Sequence, residues 1–274
     1  MRVNAEKSRA ASAHMPRKRF GQHFLVDPSV IRAIVAAIDP RPDDALVEIG
    51  PGLGAITEPL TARVRRLHAV EIDRDLIARL RQQFPPDRLR IHAGDALSLD
   101  FGALVGAEKR LRVVGNLPYN ISTPLLFHLC AFADRIGDMH FMLQKEVVER
   151  MTAEPGHAAY GRLSVMLRYR FHLKWLFDVP PESFHPVPRV YSAVARLIPI
   201  PAAERAPCDA AMLEKVVAAA FSQRRKMLRN TLKPLFAESD LTDLNIAPTW
   251  RAEDVPLAGF VALANRLRHE RAAE

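Results

Sequence analysis

The chain has 274 residues, of which 49% are hydrophobic, so it can bury a full core in one large domain with a small appendage. Its formal net charge of +8 favours an anionic partner such as nucleic acid. Cys130 and Cys208 lie far apart without metal-ligand spacing, and no apolar run is long enough to cross a membrane, which argues against a disulfide-stabilised scaffold, a zinc site and a membrane protein.

The N-terminal region mixes charged and small residues and lacks the apolar core of a secretory signal. We expect residues 1–16 to form a disordered leader and the protein to be cytoplasmic. The basic run 17–19 then leads to a glycine between Phe20 and Phe24, a pattern typical of a backbone that lies close to another group. The alternative is a tether that packs the two aromatic rings on the core.

A strand, a glycine-rich turn and a helix follow, at 45–49, 50–54 and 56–62. Such a turn binds the phosphate or ribose region of adenosine cofactors, and it places Gly50 and Gly52 against the ligand. The turn also fits the dinucleotide pattern through Ala55, so by itself it does not separate NAD from another adenosine cofactor.

Two acidic residues follow the next two predicted strands. Glu71 ends the strand 67–70, about twenty residues after the glycine turn, where an acid can bind both ribose hydroxyls. Asp95 follows the strand 89–92 and can accept a hydrogen bond from an adenine amino group. The alternative for both residues is a helix cap.

The strand 111–114 leads into Asn116, Leu117, Pro118 and Tyr119. Pro118 restrains Leu117, Asn116 offers a side-chain oxygen, and Tyr119 presents a flat ring. An aromatic amine can donate its two hydrogens to the Asn116 oxygen and the Pro118 carbonyl while it stacks on Tyr119. The alternative is a turn that only closes a buried strand.

The remaining predicted strands lie at 139–143, 172–179 and 190–198. Prolines around Phe184 predict a stiff loop that holds the Phe184 ring outward. The aromatic amine would then lie between the rings of Phe184 and Tyr119. The alternative is an inward Phe184.

A linker at 199–207 precedes predicted helices at 210–221, 224–235 and 257–268. The middle helix has an apolar face beside a basic face, and the basic face suits RNA phosphates unless it is only a solvated surface. The basic residues are Arg225, Lys226, Arg229 and Lys233.

This order predicts an α/β fold, with a doubly wound Rossmann-like sheet at 17–200 and a small all-helical C-terminal domain at 201–274. A dehydrogenase would need a His or Lys acid near its nicotinamide, and the sequence marks none. S-adenosylmethionine carries an activated methyl group, so its direct transfer requires no metal. The enzyme has only to position and polarise the reacting groups. An adenine in folded RNA must be splayed out before its amine can react.

Several stretches of the sequence, taken together in chain order, resemble the KsgA-type small-subunit rRNA adenine dimethyltransferases. The matching stretches are 17–25, 48–54, 116–122, 144–147 and 184–192. The resemblance implies dimethylation at N6 of two adjacent adenosines in the 3′-terminal hairpin of 16S rRNA, on an immature small subunit. It also implies cofactor contacts at His23, Leu25, Gly50, Glu71, Asp95 and Asn116. Many relatives carry Asn in place of His23.

Three further functions fit parts of the same pattern. A 23S rRNA adenine methyltransferase of the antibiotic-resistance type shares the methyl site, but the long helical C-terminal part favours the small-subunit enzyme. A mainly non-catalytic ribosome assembly factor would use the basic surface alone, and a dehydrogenase would use the glycine turn. We expect the protein to act as a monomer.

Overall fold

The computed structural model describes residues 22–104, 106 and 110–273. The predicted leader and the basic run 17–19 lie outside the described residues. The strands are β1 (Phe24–Leu25), β2 (Ala45–Ile49), β3 (Leu67–Glu71), β4 (Leu89–Ala93), β5 (Leu111–Asn116), β6 (Ile136–Gln144), β7 (Phe171–Val179), β8 (Phe184–His185) and β9 (Ser192–Pro199). The helices are α1 (Pro28–Ile38), α2 (Thr57–Thr61), α3 (Arg74–Gln83), α4 (Ser122–Cys130), α5 (Lys145–Thr152), α6 (Arg162–Arg170), α7 (Ala210–Ala220), α8 (Leu228–Thr231), α9 (Glu238–Asp243) and α10 (Leu257–Ala273).

Seven strands form one sheet in the order β4-β3-β2-β5-β6-β9-β7. Strands β2 to β6 pair in parallel, and β9 runs antiparallel to β6. The chain moves outward from β2 through β3 to β4 and then returns to the other side of β2 with β5. This reversal opens a crevice at the carboxyl ends of β2 and β5, where doubly wound sheets bind their ligands. The predicted Rossmann-like sheet is confirmed.

Local sequence explains the first helix of this sheet. The Asp27 side chain accepts hydrogen bonds from the Ser29 and Val30 amides, and Pro28 occupies the first turn, where its missing N–H costs nothing. The buried positions recur at helical spacing, so α1 presents one apolar face to the core. They are Ile31, Ile34, Val35 and Ile38.

A separate two-stranded sheet joins β1 to β8, with Leu25 opposite Phe184. This pairing turns the Phe184 ring into the hydrophobic core, where the residue is only 2% exposed and packs in the cluster that includes Leu25 and Ile31. The prediction that Phe184 holds its ring outward is therefore wrong. Burying a phenylalanine side chain contributes roughly 1.5–3 kcal/mol, so the inward position has a clear physical cause.

The chain divides into two compact units. The first runs to Val148 and adds Lys174–Pro199, and the second combines Glu149–Leu173 with the chain from Ile200 onward. One limit between the units thus falls between Pro199 and Ile200, and Glu149–Leu173 belongs to the second unit. Within that unit the Tyr160 hydroxyl donates to the Val255 carbonyl over 3.0 Å, a non-local contact.

The predicted helix 224–235 is wrong, because only Leu228–Thr231 is helical. The segment before it is extended at Met227, which forms a bridge with Arg251, and the Leu228 amide donates to the Trp250 carbonyl. Pro234 explains why the helix does not continue toward residue 235, because a proline ring clashes with the helical carbonyl four residues earlier. The four basic residues are all exposed, but they do not share one helix face.

Among the described residues, no helix is long and apolar enough to cross a membrane.

Candidate active site

A cavity of about 320 Å³ lies at the carboxyl ends of β2, β3, β4 and β5. It is lined by the loops that follow these strands and by the segment around β1. The residues predicted to bind the cofactor all line it: His23, Leu25, Gly50, Gly52, Glu71, Asp95 and Asn116. Pro118 and Tyr119 line it as well, whereas Phe184, buried behind β1, does not.

The turn after β2 needs glycine at its first positions. Gly50 and Gly52 have φ values of +67° and +58°, a region that favours glycine. A Cβ atom on Gly52 would also lie 3.2 Å from the Phe24 ring. Glycine therefore keeps the floor of the cavity open and lets β1 pack directly on the turn.

Glu71 ends β3 and lies at the cavity wall, 7% exposed. Its Oε1 atom accepts hydrogen bonds from the Ile72 and Asp73 amides at 2.8 and 2.9 Å, which fixes the carboxylate in one orientation. Burial raises the pKa of Glu71, and the amide hydrogen bonds oppose this shift. The side chain is thus a preorganised acceptor for hydroxyl groups.

Asp95 caps a turn and also lines the cavity. Its Oδ1 atom accepts a hydrogen bond from the Leu97 amide at 2.9 Å and caps the 3₁₀ turn Ala96–Ser98. The residue also lines the cavity, so capping orients a carboxylate that a ligand can still reach.

Glu48 is a site residue to which the sequence pattern assigned no role. It is 2% exposed on β2, lines the cavity, and accepts a 2.7 Å hydrogen bond from the Thr57 hydroxyl. Burial, together with the charge of Glu71, raises the pKa of Glu48 to about 7, while the Thr57 bond lowers it. The available signal was a carboxylate inside an otherwise apolar strand.

This raised pKa predicts a pH-dependent stability. Because the folded pKa lies above the usual 4.5, Glu48 stabilises the fold fully only below that pH, and its contribution is lost as pH rises to about 7. At about pH 8 the Glu48→Gln variant should therefore unfold at a higher urea concentration than the parent. Its free energy of unfolding should be larger by up to about 3 kcal/mol. The gain should vanish near pH 4.5. Glu149→Gln, at an exposed site, is the matched control, and a pH-independent gain at Glu48 would contradict the assignment.

Asn116 ends β5 and faces the cavity. Its Nδ2 atom donates to the His23 carbonyl over 3.0 Å, so the amide is oriented with Oδ1 as its remaining acceptor. The Pro118 carbonyl already accepts hydrogen bonds from the Ile121 amide and the Ser122 hydroxyl, at 3.2 and 2.9 Å. A third donor at Pro118 would have to displace the Ser122 hydroxyl, which can rotate.

Tyr119 is half-buried beside Asn116. Its hydroxyl shares a 2.9 Å hydrogen bond with the Ser192 hydroxyl, and burial raises its pKa. The His23 ring stacks on it with a centroid distance of 5.5 Å and an interplanar angle of 27°. The His23 Nδ1 atom lies 2.7 Å from the Pro186 carbonyl. The His23 ring therefore already covers part of the Tyr119 ring.

In the part of the chain that the structure describes, no group of three His, Cys, Asp or Glu residues could hold a metal ion.

The family model for ribosomal RNA adenine dimethylase matches residues 13–269 of this chain. The chain belongs to the ribosomal RNA adenine dimethylase family. It is 61% identical over 254 residues to ribosomal RNA small subunit methyltransferase A of Dechloromonas aromatica, an alignment that covers 93% of this chain and 98% of that protein. It is 59% identical over 262 residues to the protein of the same name from Chromobacterium violaceum, which covers 96% and 99%.

Solved structures agree on the fold of this rRNA adenine dimethylase. A dimethyladenosine transferase from Plasmodium falciparum superposes with a TM-score of 0.78 at 23% identity, covering 91% of this chain and 98% of that one. The 23S rRNA methyltransferase ErmE superposes with a TM-score of 0.68 at 25% identity, covering 89% and 99%. The higher identity to the small-subunit proteins favours the predicted small-subunit type over the 23S alternative.

As a member of this family, the chain is a methyltransferase whose methyl donor is S-adenosylmethionine. The cavity fits this cofactor by its chemistry, because a fixed carboxylate at Glu71 suits ribose hydroxyls and the glycine turn admits close backbone approach. When bound, the cofactor supplies an activated methyl group.

Proposed function

We propose that this enzyme methylates N6 of two adjacent adenosines in the 3′-terminal hairpin of 16S rRNA, on the immature small ribosomal subunit. The observation that carries the proposal is the oriented Asn116 amide beside Tyr119 at the edge of the cofactor cavity. The names of the two bacterial relatives support the small subunit as the substrate.

In this proposal the protein positions the base and polarises its amine. Tyr119 stacks on the splayed adenine, and Asn116 Oδ1 accepts one of its amine hydrogens. The Pro118 carbonyl accepts the other hydrogen once the Ser122 hydroxyl has turned away. These contacts favour a pyramidal nitrogen whose lone pair is available to the methyl group. The proposal assigns Phe184 no contact with the base, because its ring is buried.

Cofactor contacts at His23, Leu25, Gly50, Gly52, Glu71 and Asp95 belong to the same proposal, supported by their shared position at the cavity. The enzyme would act as a monomer in the cytoplasm, where small subunits are assembled in bacteria.

The decisive experiment is transfer of labelled methyl groups from S-adenosylmethionine to undermethylated small subunits, with the modified bases mapped. We expect label on N6 of two neighbouring adenosines near the 3′ end of 16S rRNA. Large subunits serve as the control substrate. Label in 23S rRNA would support the antibiotic-resistance type of enzyme, and particle binding without any label would support a pure assembly factor.

The basic residues Arg225, Lys226, Arg229 and Lys233 remain candidates for rRNA contact. They are exposed, and none forms an ion pair with another residue that the structure describes. Cations that neutralise phosphates release condensed counterions, so affinity falls with salt.

Changing Arg225 and Arg229 together to Gln should flatten the salt dependence of small-subunit binding by up to about two units of slope. Binding across a salt series measures this, and the affinity for S-adenosylmethionine should not change. If affinity falls with salt at the same slope in the parent and the variant, these basic residues form only a solvated surface.

A further inference from the structure

We call the five consecutive residues Val187–Tyr191 the rim segment; four of them are exposed, and Pro188 is buried. Its apolar and aromatic side chains are unusually open: Val187 is 60%, Val190 44% and Tyr191 52% exposed. Arg189 is exposed between them. Single exposed apolar residues need no explanation, but a short run that combines them with a cation is typical of a binding surface.

The residues that flank the rim segment on both sides, Pro186 and Ser192, contact the walls of the proposed base site. At its start, the Pro186 carbonyl lies 2.7 Å from His23 Nδ1, and the His23 ring stacks on Tyr119. At its end, the Ser192 hydroxyl shares a 2.9 Å hydrogen bond with the Tyr119 hydroxyl. The Tyr191 carbonyl also accepts a 2.9 Å hydrogen bond from the Lys145 amide, at the start of α5. The rim segment therefore borders Tyr119.

The chemistry of the rim segment matches single-stranded RNA. An extruded adenosine leaves its neighbour in the strand unstacked on one side, and that neighbour exposes an aromatic face. Exposed aromatic rings stack on such faces without regard to base identity, and arginine pairs with the phosphate beside them.

We propose that Tyr191 stacks on the nucleobase adjoining the target adenosine and that Arg189 binds a phosphate of the same strand. This proposal rests on the proposed function, since it names the contact made by the rest of the substrate strand. It also explains how an enzyme for two adjacent adenosines holds one while the other occupies the Tyr119 site. The rim segment is then a second nucleotide site on the outer edge of the cavity.

The first test uses full-length variants, undermethylated small subunits and labelled S-adenosylmethionine. Tyr191→Ala should raise the KM for the particle by about fivefold to a hundredfold, the usual effect of losing one base stack. The kcat value and the affinity for S-adenosylmethionine should stay at the parent values. Tyr191→Phe keeps the ring and should behave as the parent.

Ile198→Ala is the matched control, because Ile198 is an exposed apolar residue on β9 near the opposite end of the strand. Arg189→Gln should reduce the salt slope of particle binding by about one unit. An unchanged KM for Tyr191→Ala would overturn the proposal, as would an equal rise for Ile198→Ala.

A second test locates the contact. A photoreactive benzoylphenylalanine at position 191 should crosslink to a nucleotide directly beside the methylated adenosine. A crosslink to a ribosomal protein, or to distant RNA, would overturn the proposal in favour of another partner for this surface. Methyl transfer by the parent enzyme in the same assay separates the two failures, because absent label refutes the proposed function and normal label with a misplaced crosslink refutes only the rim contact.

Discussion

Replacing Asn116 with Ala is expected to slow methyl transfer by about tenfold to a hundredfold at saturating cofactor and substrate. The Asn116 amide is held by its 3.0 Å bond to the His23 carbonyl, and in the proposed function its Oδ1 atom accepts a hydrogen bond from the target amine. The bond between Asn116 Oδ1 and the target amine strengthens as the amine nitrogen becomes pyramidal. Its loss should therefore lower the rate of methyl transfer more than it weakens RNA binding. Single-turnover rates with bound small subunits measure the effect.

The same substitution also removes the bond to His23, so the cofactor affinity must be measured beside the rate. His23 and Leu25 line the cofactor cavity, and a displaced β1 would change that affinity. Asn230→Ala provides the matched control, because it removes an exposed amide that does not line the cavity. A parent-like rate for Asn116→Ala would refute the amine contact. A loss of cofactor affinity equal to the loss of rate would show that Asn116 acts by holding β1 in place.

The sheet and its ligand crevice were predictable because their determinants are local. Buried parallel strands are continuous apolar runs, and the polar residues directly after them meet at one edge of the sheet. This logic groups Gly50, Glu71, Asp95 and Asn116 from the sequence alone, and the structure places all four at one cavity.

The position of Phe184 was not predictable in the same way. Prolines restrict the backbone of its loop, but they do not determine which side of the loop faces the core. That choice comes from the pairing of β8 with β1, which joins Phe184 to Leu25 from a distant part of the chain. Pairing between distant segments leaves no signal in local periodicity.

The error at 224–235 has a different cause. The apolar spacing there is real, since Leu228 and Leu232 are fully buried, but helical periodicity over a short window does not guarantee one helix. Pro234 was the local signal against it. Glu149–Leu173 likewise joins the second unit through non-local contacts, such as the Gly156 amide to the Glu253 carbonyl, that no composition shift marks.

Replacing Glu71 with Ala is expected to weaken S-adenosylmethionine binding by roughly 1.5–3 kcal/mol, about tenfold to a hundredfold in Kd. In the proposed site the carboxylate accepts hydrogen bonds from the ribose hydroxyls, and it is already fixed by the Ile72 and Asp73 amides. Because burial raises the pKa of Glu71, its charge is lost at a higher pH than that of an exposed glutamate. The parent's cofactor affinity should therefore weaken as the pH is lowered through this raised pKa. Titration calorimetry at several pH values measures both effects.

Glu71→Gln separates the charge from the structural role. Glutamine keeps an oxygen for the Ile72 and Asp73 amides, so the turn after β3 should stay intact, and only the charge assistance to the ribose bonds is lost. We expect its affinity to lie between those of the parent and the Ala variant, with no remaining dependence on the titration of residue 71. The thermal unfolding temperature should stay near that of the parent for Gln and fall for Ala, because Ala leaves two amides at the end of β3 without their acceptor. Unchanged cofactor affinity in both variants would remove Glu71 from the site, and with it the assignment of the cavity to an adenosine cofactor's ribose.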